Sequence, residues 1–162
     1  MRIIVDANIV FSAILNTNSK IADLLLNSRG TFDFLAPDYL QTELRKYYSK
    51  ISKLSGLTTS EIKIIENKIY KPIDFMSGIH IPIDKWISAE KLVLNIDFKD
   101  TPYVAFSLFY KCKIWSGDKI LRKGLENKGF KNIISTEELF EIREHKRCVL
   151  VRTISIDYIK VL

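Results

Sequence analysis

Four acidic residues stand where short apolar runs end in this 162-residue chain, and they could bind a cation. They are Asp6, Glu43, Asp100 and Asp118. Asp6 and Asp118 follow strand-like segments, and an open parallel sheet has its binding crevice beyond the carboxyl ends of its strands. A carboxylate there is costly to remove from water unless it is paired or holds a metal ion. These acids are therefore the first candidates for chemistry.

Each acid also suits an ordinary structural role. Three of them could simply cap a helix or a turn, namely Asp6, Asp100 and Asp118. Asn8 could cap the first helix instead of Asp6, which would leave that aspartate free to bind something else. Glu43 could pair on the surface with Lys46, three residues later. Both explanations stay open for each acid alone, whereas their joint placement favours a site.

Composition predicts one compact globular domain whose partner is a polyanion. The chain is 47% hydrophobic and 27% charged, as in ordinary globular proteins rather than disordered or membrane chains. Its net charge of +6 and pI near 9.2 favour phosphate-rich partners. No apolar run approaches the roughly 20 residues that span a bilayer, and no signal-peptide pattern begins the chain, so we expect a cytoplasmic protein without membrane contact. Cys112 and Cys148 lack the spacing of a zinc site or a disulfide framework.

Strand-like and helical segments alternate along the chain, which predicts an α/β fold. The predicted strands are residues 2–6, 32–36, 73–81, 113–116 and 132–135. The predicted helices are residues 8–28, 38–55, 58–71, 84–94, 101–110 and 119–127, followed by a short helix from Thr136. This order favours a three-layer α/β/α sandwich with a central parallel sheet.

The last 20 residues differ from the rest. Residues 143–162 are net basic and alternate through Ile154, Ile156 and Tyr158. We therefore predict one domain over residues 1–142 and a basic C-terminal extension over 143–162, in the form of an added edge strand. Its role does not follow from the sequence.

Three motifs are similar to those of one protein family. The stretches 3–9 (IIVDANI), 97–105 (DFKDTPYVA) and 114–121 (IWSGDKIL) resemble the opening strand, the central helix start and the fourth strand of a PIN domain. This family of small nucleases includes VapC-like toxins. The resemblance covers about residues 1–142 and implies a PIN-like sheet.

The resemblance implies a metal-dependent nuclease site. Asp6, Glu43, Asp100 and Asp118 match the acidic quartet that would hold one or two Mg²⁺ or Mn²⁺ ions. Asp97 matches an additional acid in some members. Asn8 and Ser116 match polar residues that support the pocket, with serine where threonine is usual. Ile120 stands where many members have another acid, which would weaken one metal position.

The resemblance further implies a toxin that cleaves single-stranded RNA and is inhibited by a cognate antitoxin protein, with a homodimer as a common assembly. Basic residues near Glu43 and Asp118 could guide the RNA backbone or could simply be solvated. They are Arg45, Lys46, Lys50, Lys119, Arg122 and Lys123.

Three alternatives stay open. An inactive PIN-like module that binds nucleic acid and a nuclease acting on DNA both fit the same motifs. A receiver-like phosphoacceptor domain would also place aspartates at strand ends, but it would have two adjacent acids where Asp6-Ala7-Asn8 stands.

Overall fold

A computed structural model describes the backbone of residues 1–159 and the side chains of residues 1–149. Its described strands form one five-stranded parallel sheet in the order β3-β2-β1-β4-β5. The strands are β1 (Arg2–Val5), β2 (Asp33–Pro37), β3 (Ile73–Met76), β4 (Lys113–Trp115) and β5 (Ile133–Ile134). The helices are α1 (Ala7–Leu15), α2 (Lys20–Asn27), α3 (Tyr39–Arg45), α4 (Tyr48–Ser55), α5 (Thr59–Tyr70), α6 (Ile83–Val93), α7 (Thr101–Tyr110), α8 (Lys119–Asn127) and α9 (Thr136–Ile159). Short 3-10 turns occupy Gly78–His80 and Phe98–Asp100.

The central strands are apolar because helices cover both faces of the sheet. Ile3, Ile4 and Val5 of β1 are fully buried. In the register, Ile4 lies beside Leu35 of β2 and Ile114 of β4. A parallel sheet buried on both faces needs such continuous apolar runs rather than an alternating pattern. The predicted three-layer α/β/α architecture is confirmed.

The side of the sheet on which the chain adds new strands changes at β1. From β1 the chain winds outwards through β2 to β3, then crosses to the other side for β4 and β5. With right-handed crossovers, this places the earlier helices on one face and α6, α7 and α8 on the other. The packing agrees, since α1 contacts α2, α3, α4 and α5, while α6 contacts α7 and α8. The segments after β1 and β4 diverge at this reversal and leave a crevice between them.

Two predicted helices are each interrupted. The helix expected over 8–28 ends at Leu15, and α2 begins after Ser19, whose side chain accepts a hydrogen bond from the Ala22 amide at 3.2 Å. The helix expected over 38–55 breaks at Lys46 and Tyr47, between α3 and α4. Apolar periodicity continues across the second break, whereas the polar run 16–19, with its cap at Ser19, separates α1 from α2.

The third predicted strand is also shorter than expected. It was predicted over residues 73–81, but β3 ends at Met76. Ser77 then accepts a hydrogen bond from the Ile79 amide and begins a 3-10 turn. The side-chain cap competes with continued strand pairing, which stops the strand.

The predicted edge strand in the C-terminal extension is wrong for the described residues. Helix α9 runs without interruption from Thr136 to Ile159, so the proposed boundary at residue 142 lies inside it. Arg143 anchors the helix: it is 2% exposed, and its guanidinium lies 2.6 Å from Oδ2 of Asp23 on α2. The ring of Phe140 packs against the same guanidinium. Residues 160–162 of the predicted extension lie outside the described residues.

Within the described chain, no single helix has both the length and the apolar character to cross a membrane. Helices α1 and α2 together reach that length and composition, but they are bent by 108° relative to each other.

Candidate functional site

Asp6 stands at the carboxyl end of β1 and is held by three neutral donors. It is the N-cap of α1, and its Oδ1 accepts a hydrogen bond from the Asn8 amide at 3.4 Å. Its Oδ2 accepts from Nδ2 of Asn8 at 2.7 Å and from the hydroxyl of Ser116 at 2.5 Å. Asp6 therefore has both the capping role and a fixed place in the crevice. The alternative cap, Asn8, lies inside the helix and supports Asp6 instead.

Asn8 and Ser116 connect the two segments that border the crevice. Nδ2 of Asn8 also donates to the Ser116 hydroxyl at 3.1 Å, and its Oδ1 accepts from the Gly117 amide at 3.2 Å. The Asp118 amide donates to the same serine hydroxyl at 3.1 Å. This network fixes the segment after β4 against the start of α1, because each connecting side chain has several partners.

Asp118 caps α8, as an aspartate in that turn would. Its Oδ1 accepts hydrogen bonds from the Ile120 and Leu121 amides at 2.7 and 3.0 Å. Its Oδ2 accepts none from the residues that the structure describes, and the side chain is exposed. One carboxylate oxygen is therefore free for another partner.

Glu43 is buried although it is charged. It lies on α3, is 8% exposed, and its Oε2 accepts a hydrogen bond from the hydroxyl of Tyr103 at 2.9 Å. The surface pair with Lys46 that the spacing suggested is not formed. Lys46 instead lies over the ring of Tyr39, 5.8 Å from its centroid.

Asp97 and Asp100 differ in how they use their carboxylates. Asp97 begins the 3-10 turn before α7 and accepts from the Lys99 amide at 2.9 Å. Asp100 occupies the N-cap position of α7, yet its backbone is helical and its side chain makes no capping hydrogen bond. The helix begins where the Asp-Thr-Pro sequence predicted, but the Asp100 carboxylate does not cap it.

One pocket of about 340 Å³ brings most of these acids together. Its lining residues are Asp6, Ala7, Asn8, Phe11, Glu43, Tyr47, Lys50, Asp97, Lys99 and Asp100. Four of the five candidate acids thus line the same pocket. Asp118 lies beside the pocket, close enough for its charge to raise the pKa values of Asp6 and Asp100.

Burial and mutual repulsion raise the pKa values of two of the acids. Burial raises the pKa of Asp6 to about 6, with added repulsion from Glu43 and Asp118, against the hydrogen bonds from Ser116 and Asn8. Burial raises the pKa of Asp100 to about 8, and the charges of Asp6, Asp97, Asp118 and Glu43 raise it further. Such shifts mark carboxylates crowded together without a compensating cation.

The donors suit a hard divalent cation, but they do not form a finished set of ligands. Magnesium and manganese prefer carboxylate oxygens, and Asp100 and Oδ2 of Asp118 have no hydrogen-bond partner within the described residues. Nevertheless, in the part of the chain with described side chains, no three histidine, cysteine or acidic groups could hold an ion as they stand. Ion binding here would require side-chain rotation or ligands bridged by water.

The basic residues predicted to guide a nucleic acid are dispersed. Lys50 lines the pocket, and its ammonium lies 5.5 Å from the ring centroid of Phe11. Arg45 instead lines a second cavity of about 590 Å³. Arg122 is bound by Glu126 and Glu138 at 3.0 and 2.8 Å, so its charge is already compensated. Of the remaining three, Lys46 lies over the ring of Tyr39, and Lys119 and Lys123 are exposed on α8.

Sequence reasoning missed four residues of this site. Tyr103 bonds Glu43, and the others line the pocket, namely Phe11, Tyr47 and Lys99. Three of the four are aromatic, and at helical spacing an aromatic side chain indicates core packing. One signal in the sequence could have indicated that Tyr103 belongs to the site. It stands three residues after Asp100, a spacing that places both on the same side of a helix.

Comparisons with known proteins bear on the family and on the fold. A family model described as the PIN domain matches residues 4–149. The fold is similar to VapBC2 from Rickettsia felis bound to a DNA fragment from their promoter, with a TM-score of 0.62, 12% identity, and coverage of 83% of this chain and 97% of that one. It is also similar to PAE2754 from Pyrobaculum aerophilum, with a TM-score of 0.61, 14% identity, and coverage of 88% and 89%. No curated protein matches the sequence.

Proposed function

The chain belongs to the PIN domain family, and from that premise we propose that it is a metal-dependent endoribonuclease. It cleaves phosphodiester bonds of single-stranded RNA and acts as the toxin of a toxin–antitoxin pair. The observation that carries this proposal is the pocket in which Asp6, Glu43 and Asp100 meet without a cationic partner among the described side chains, with Asp118 at its edge.

Neutral donors are what make these acids suited to binding a cation. Within the described residues, every hydrogen bond to the candidate acids comes from a hydroxyl, an amide side chain or a backbone amide. Neutral donors fix an oxygen in place without neutralising its charge. The negative charge of the cluster is therefore available to a bound cation.

The acids have two kinds of task in this proposal. Asp6, Asp100 and Asp118 would hold one or two Mg²⁺ or Mn²⁺ ions, directly or through water. When bound, such an ion activates water and stabilises negative charge on the reacting phosphate. Glu43 accepts a hydrogen bond from the attacking water at Oε1 and orients it, while Asn8 and Ser116 keep Asp6 in position.

The RNA reaches the acids along a surface that is basic overall. The net charge of +6 attracts the phosphate backbone, and Lys50 and Lys99 stand in the pocket beside the acids. Of the predicted guiding residues, Lys50 has the most direct access to a bound strand. Arg122 contributes less because its guanidinium already binds two glutamates.

A cognate antitoxin protein is the proposed partner. The similarity to VapBC2 from Rickettsia felis supports this assignment. A homodimer stays a prediction from the family resemblance, and a cytoplasmic location stays a prediction from the sequence.

Cleavage of an end-labelled single-stranded RNA, with Mn²⁺ and with EDTA, tests the proposal. Wild type should cut only when the divalent ion is present. Asp118→Asn should lose cleavage and keep its fold, since asparagine caps α8 as well as aspartate does. Asp74→Asn removes an exposed acid of β3 that is outside the pocket and should cut like wild type. Wild-type cleavage in EDTA, or unchanged cleavage by Asp118→Asn, would contradict the proposal.

A second candidate is a PIN-fold module that binds nucleic acid without cutting it. Two observations favour it: the described residues offer no ready set of three metal ligands, and Ile120 supplies no carboxylate beside Asp118. Such a module would retain labelled RNA in a binding assay and leave it intact at all Mn²⁺ concentrations. A labelled DNA of the same sequence, assayed in parallel, separates a ribonuclease from a DNA-directed nuclease.

A further inference from the structure

Tyr103 is a buried neighbour of the pocket residue Glu43, and the proposed function leaves it without a task. It is 1% exposed and lies on α7, three residues after Asp100. Its hydroxyl donates to Oε2 of Glu43 at 2.9 Å, which connects α7 to α3 beneath the pocket. A phenol hydroxyl is a hydrogen-bond donor at neutral pH, so it supplies the proton of this contact.

The hydrogen bond from Tyr103 distinguishes the two carboxylate oxygens of Glu43. Oε2 is occupied by Tyr103, while Oε1 accepts no hydrogen bond from any residue with described side chains. A glutamate has three side-chain torsions, so a single buried donor removes much of the freedom that its carboxylate would otherwise have. The carboxylate of Glu43, which lines the pocket, is thus restricted to a narrow range of orientations, with Oε1 left without a donor among the described side chains.

We propose that Tyr103 is a positioning residue that fixes the Glu43 carboxylate for the divalent ion and the water of the cleavage site. This inference rests on the proposed nuclease function. Partners of this kind, which hold a metal-binding side chain in place, typically change metal affinity or activity by about 10- to 100-fold when removed.

A second tyrosine–glutamate pair provides a matched control. Tyr48 on α4 donates to Oε2 of Glu66 on α5 at 2.5 Å, and Glu66 is also buried, at 7% exposure. Glu66 lines the second cavity rather than the acidic pocket. Loss of either hydroxyl removes one donor from a buried glutamate, so Tyr103→Phe and Tyr48→Phe should both lower stability. Only the first should change ion binding.

The experiment is a calorimetric titration of the full chain with Mn²⁺ at pH 7. Tyr103→Phe should weaken Mn²⁺ binding by at least tenfold, whereas Tyr48→Phe should bind like wild type. In a Glu43→Gln background the further substitution of Tyr103 should have little additional effect, because both changes act on one carboxylate.

Three results would contradict the inference, and they differ in what else they overturn. Equal Mn²⁺ affinity in Tyr103→Phe and wild type overturns the positioning role alone, as does an equal loss in Tyr48→Phe. A wild-type protein that binds no Mn²⁺ overturns the nuclease proposal together with the inference. RNA cleavage by the same variants provides a second readout, and it should fall in parallel with Mn²⁺ affinity.

Discussion

The acids of the pocket and the acids beside the C-terminal helix differ in their partners. Asp6 and Asp100 have no cationic partner within the described residues. Asp23 of α2 is bound by Arg143 of α9 at 2.6 Å, and Glu138 of α9 is bound by Arg122 of α8 at 2.8 Å. Both groups consist of aspartate and glutamate side chains, so the difference between them comes from their surroundings.

Their pKa values move in opposite directions. Burial raises the pKa of Asp6 to about 6 and that of Asp100 to about 8. Hydrogen bonds from Asn27 and Arg143 lower the pKa of Asp23, and those from Arg122 lower the pKa of Glu138 to about 2. The acids beside α9 stabilise the fold, whereas the pocket acids oppose it until a cation joins them.

Removal of a pocket acid should have the largest effect on function. Asp100→Asn deletes a charge that neither caps a helix nor pairs with a base, so RNA cleavage should fall by more than about 100-fold. The same change relieves repulsion, and the metal-free protein should melt a few degrees higher. Cleavage assays and calorimetry of one sample measure both effects. If Asp100→Asn cleaved RNA like wild type or melted at a lower temperature, the pocket acids would not differ from the acids at α9 in the way described.

The pH dependence of stability should show the same opposition. Asp6 and Asp100 have pKa values raised from 3.8, so their contribution is complete below pH 3.8 and is lost as pH rises through about 6 and about 8. Glu138 has a pKa lowered from 4.5 to about 2, so its contribution is complete above pH 4.5 and is lost as pH falls through about 2. The metal-free protein should therefore be most stable near pH 4 to 5.

Calorimetry in EDTA across pH 3 to 9 measures this profile. The melting temperature should decline by several degrees from pH 5 to pH 8. Addition of Mn²⁺ at pH 8 should restore it, because the ion binds the ionised carboxylates of the folded state. A melting temperature that rises steadily to pH 8 in EDTA would contradict the assignment of uncompensated acids to the pocket.

Loss of a paired acid should reduce stability and spare cleavage. Asp23→Asn should lower the free energy of unfolding by about 1 to 2 kcal/mol, because Arg143 loses its strongest charged hydrogen bond while Asp23 is partly exposed. Urea denaturation gives the stability change, and RNA cleavage below the transition gives the activity. If Asp23→Asn lost cleavage while still folded, the acids at α9 would also act in the functional site, and the two groups of acids would not differ in function.

The smallest expected effect comes from an added acid. Ile120 is 76% exposed and directly follows the first residue of α8. Ile120→Asp should strengthen Mn²⁺ binding by a few-fold, because it adds a carboxylate where many family members have one. Stability should change by less than about 0.5 kcal/mol at such an exposed position. A calorimetric titration with Mn²⁺ tests it, and weaker binding would show that this rim of the pocket does not face the ion.

The sheet and the acids could be predicted from sequence because their signals are local. Each central strand is a short apolar run, and Asp6 directly follows β1 while Asp118 stands three residues after the end of β4. The interruption near Lys46 could not be predicted in this way, since apolar periodicity continues across it, whereas the interruption before Ser19 falls in the polar run 16–19. Residues 143–159 alternated like a strand, but Arg143 anchors them to α2 as part of a helix, a contact between residues far apart in the chain.

Contacts across the site were also beyond local patterns. The spacing of Glu43 suggested a pair with Lys46, whereas its partner is Tyr103, 60 residues away in the chain. An aromatic residue on an apolar helix indicates core packing, and Tyr103 is indeed buried. Its hydroxyl acquires a function only when α3 and α7 meet. Such pairs depend on tertiary structure, so the acids could be identified from sequence while their orientation could not.

The central claim is that the uncompensated acids of the pocket bind a divalent cation. Anomalous scattering from a crystal of the wild-type protein soaked in Mn²⁺ tests it most directly. The account predicts a peak coordinated by Asp6, Asp100 and Asp118, near Oε1 of Glu43, and its absence in Asp100→Asn crystals soaked in the same way. A soaked wild-type crystal with no peak in the pocket, and manganese only at exposed acids elsewhere, would contradict the account.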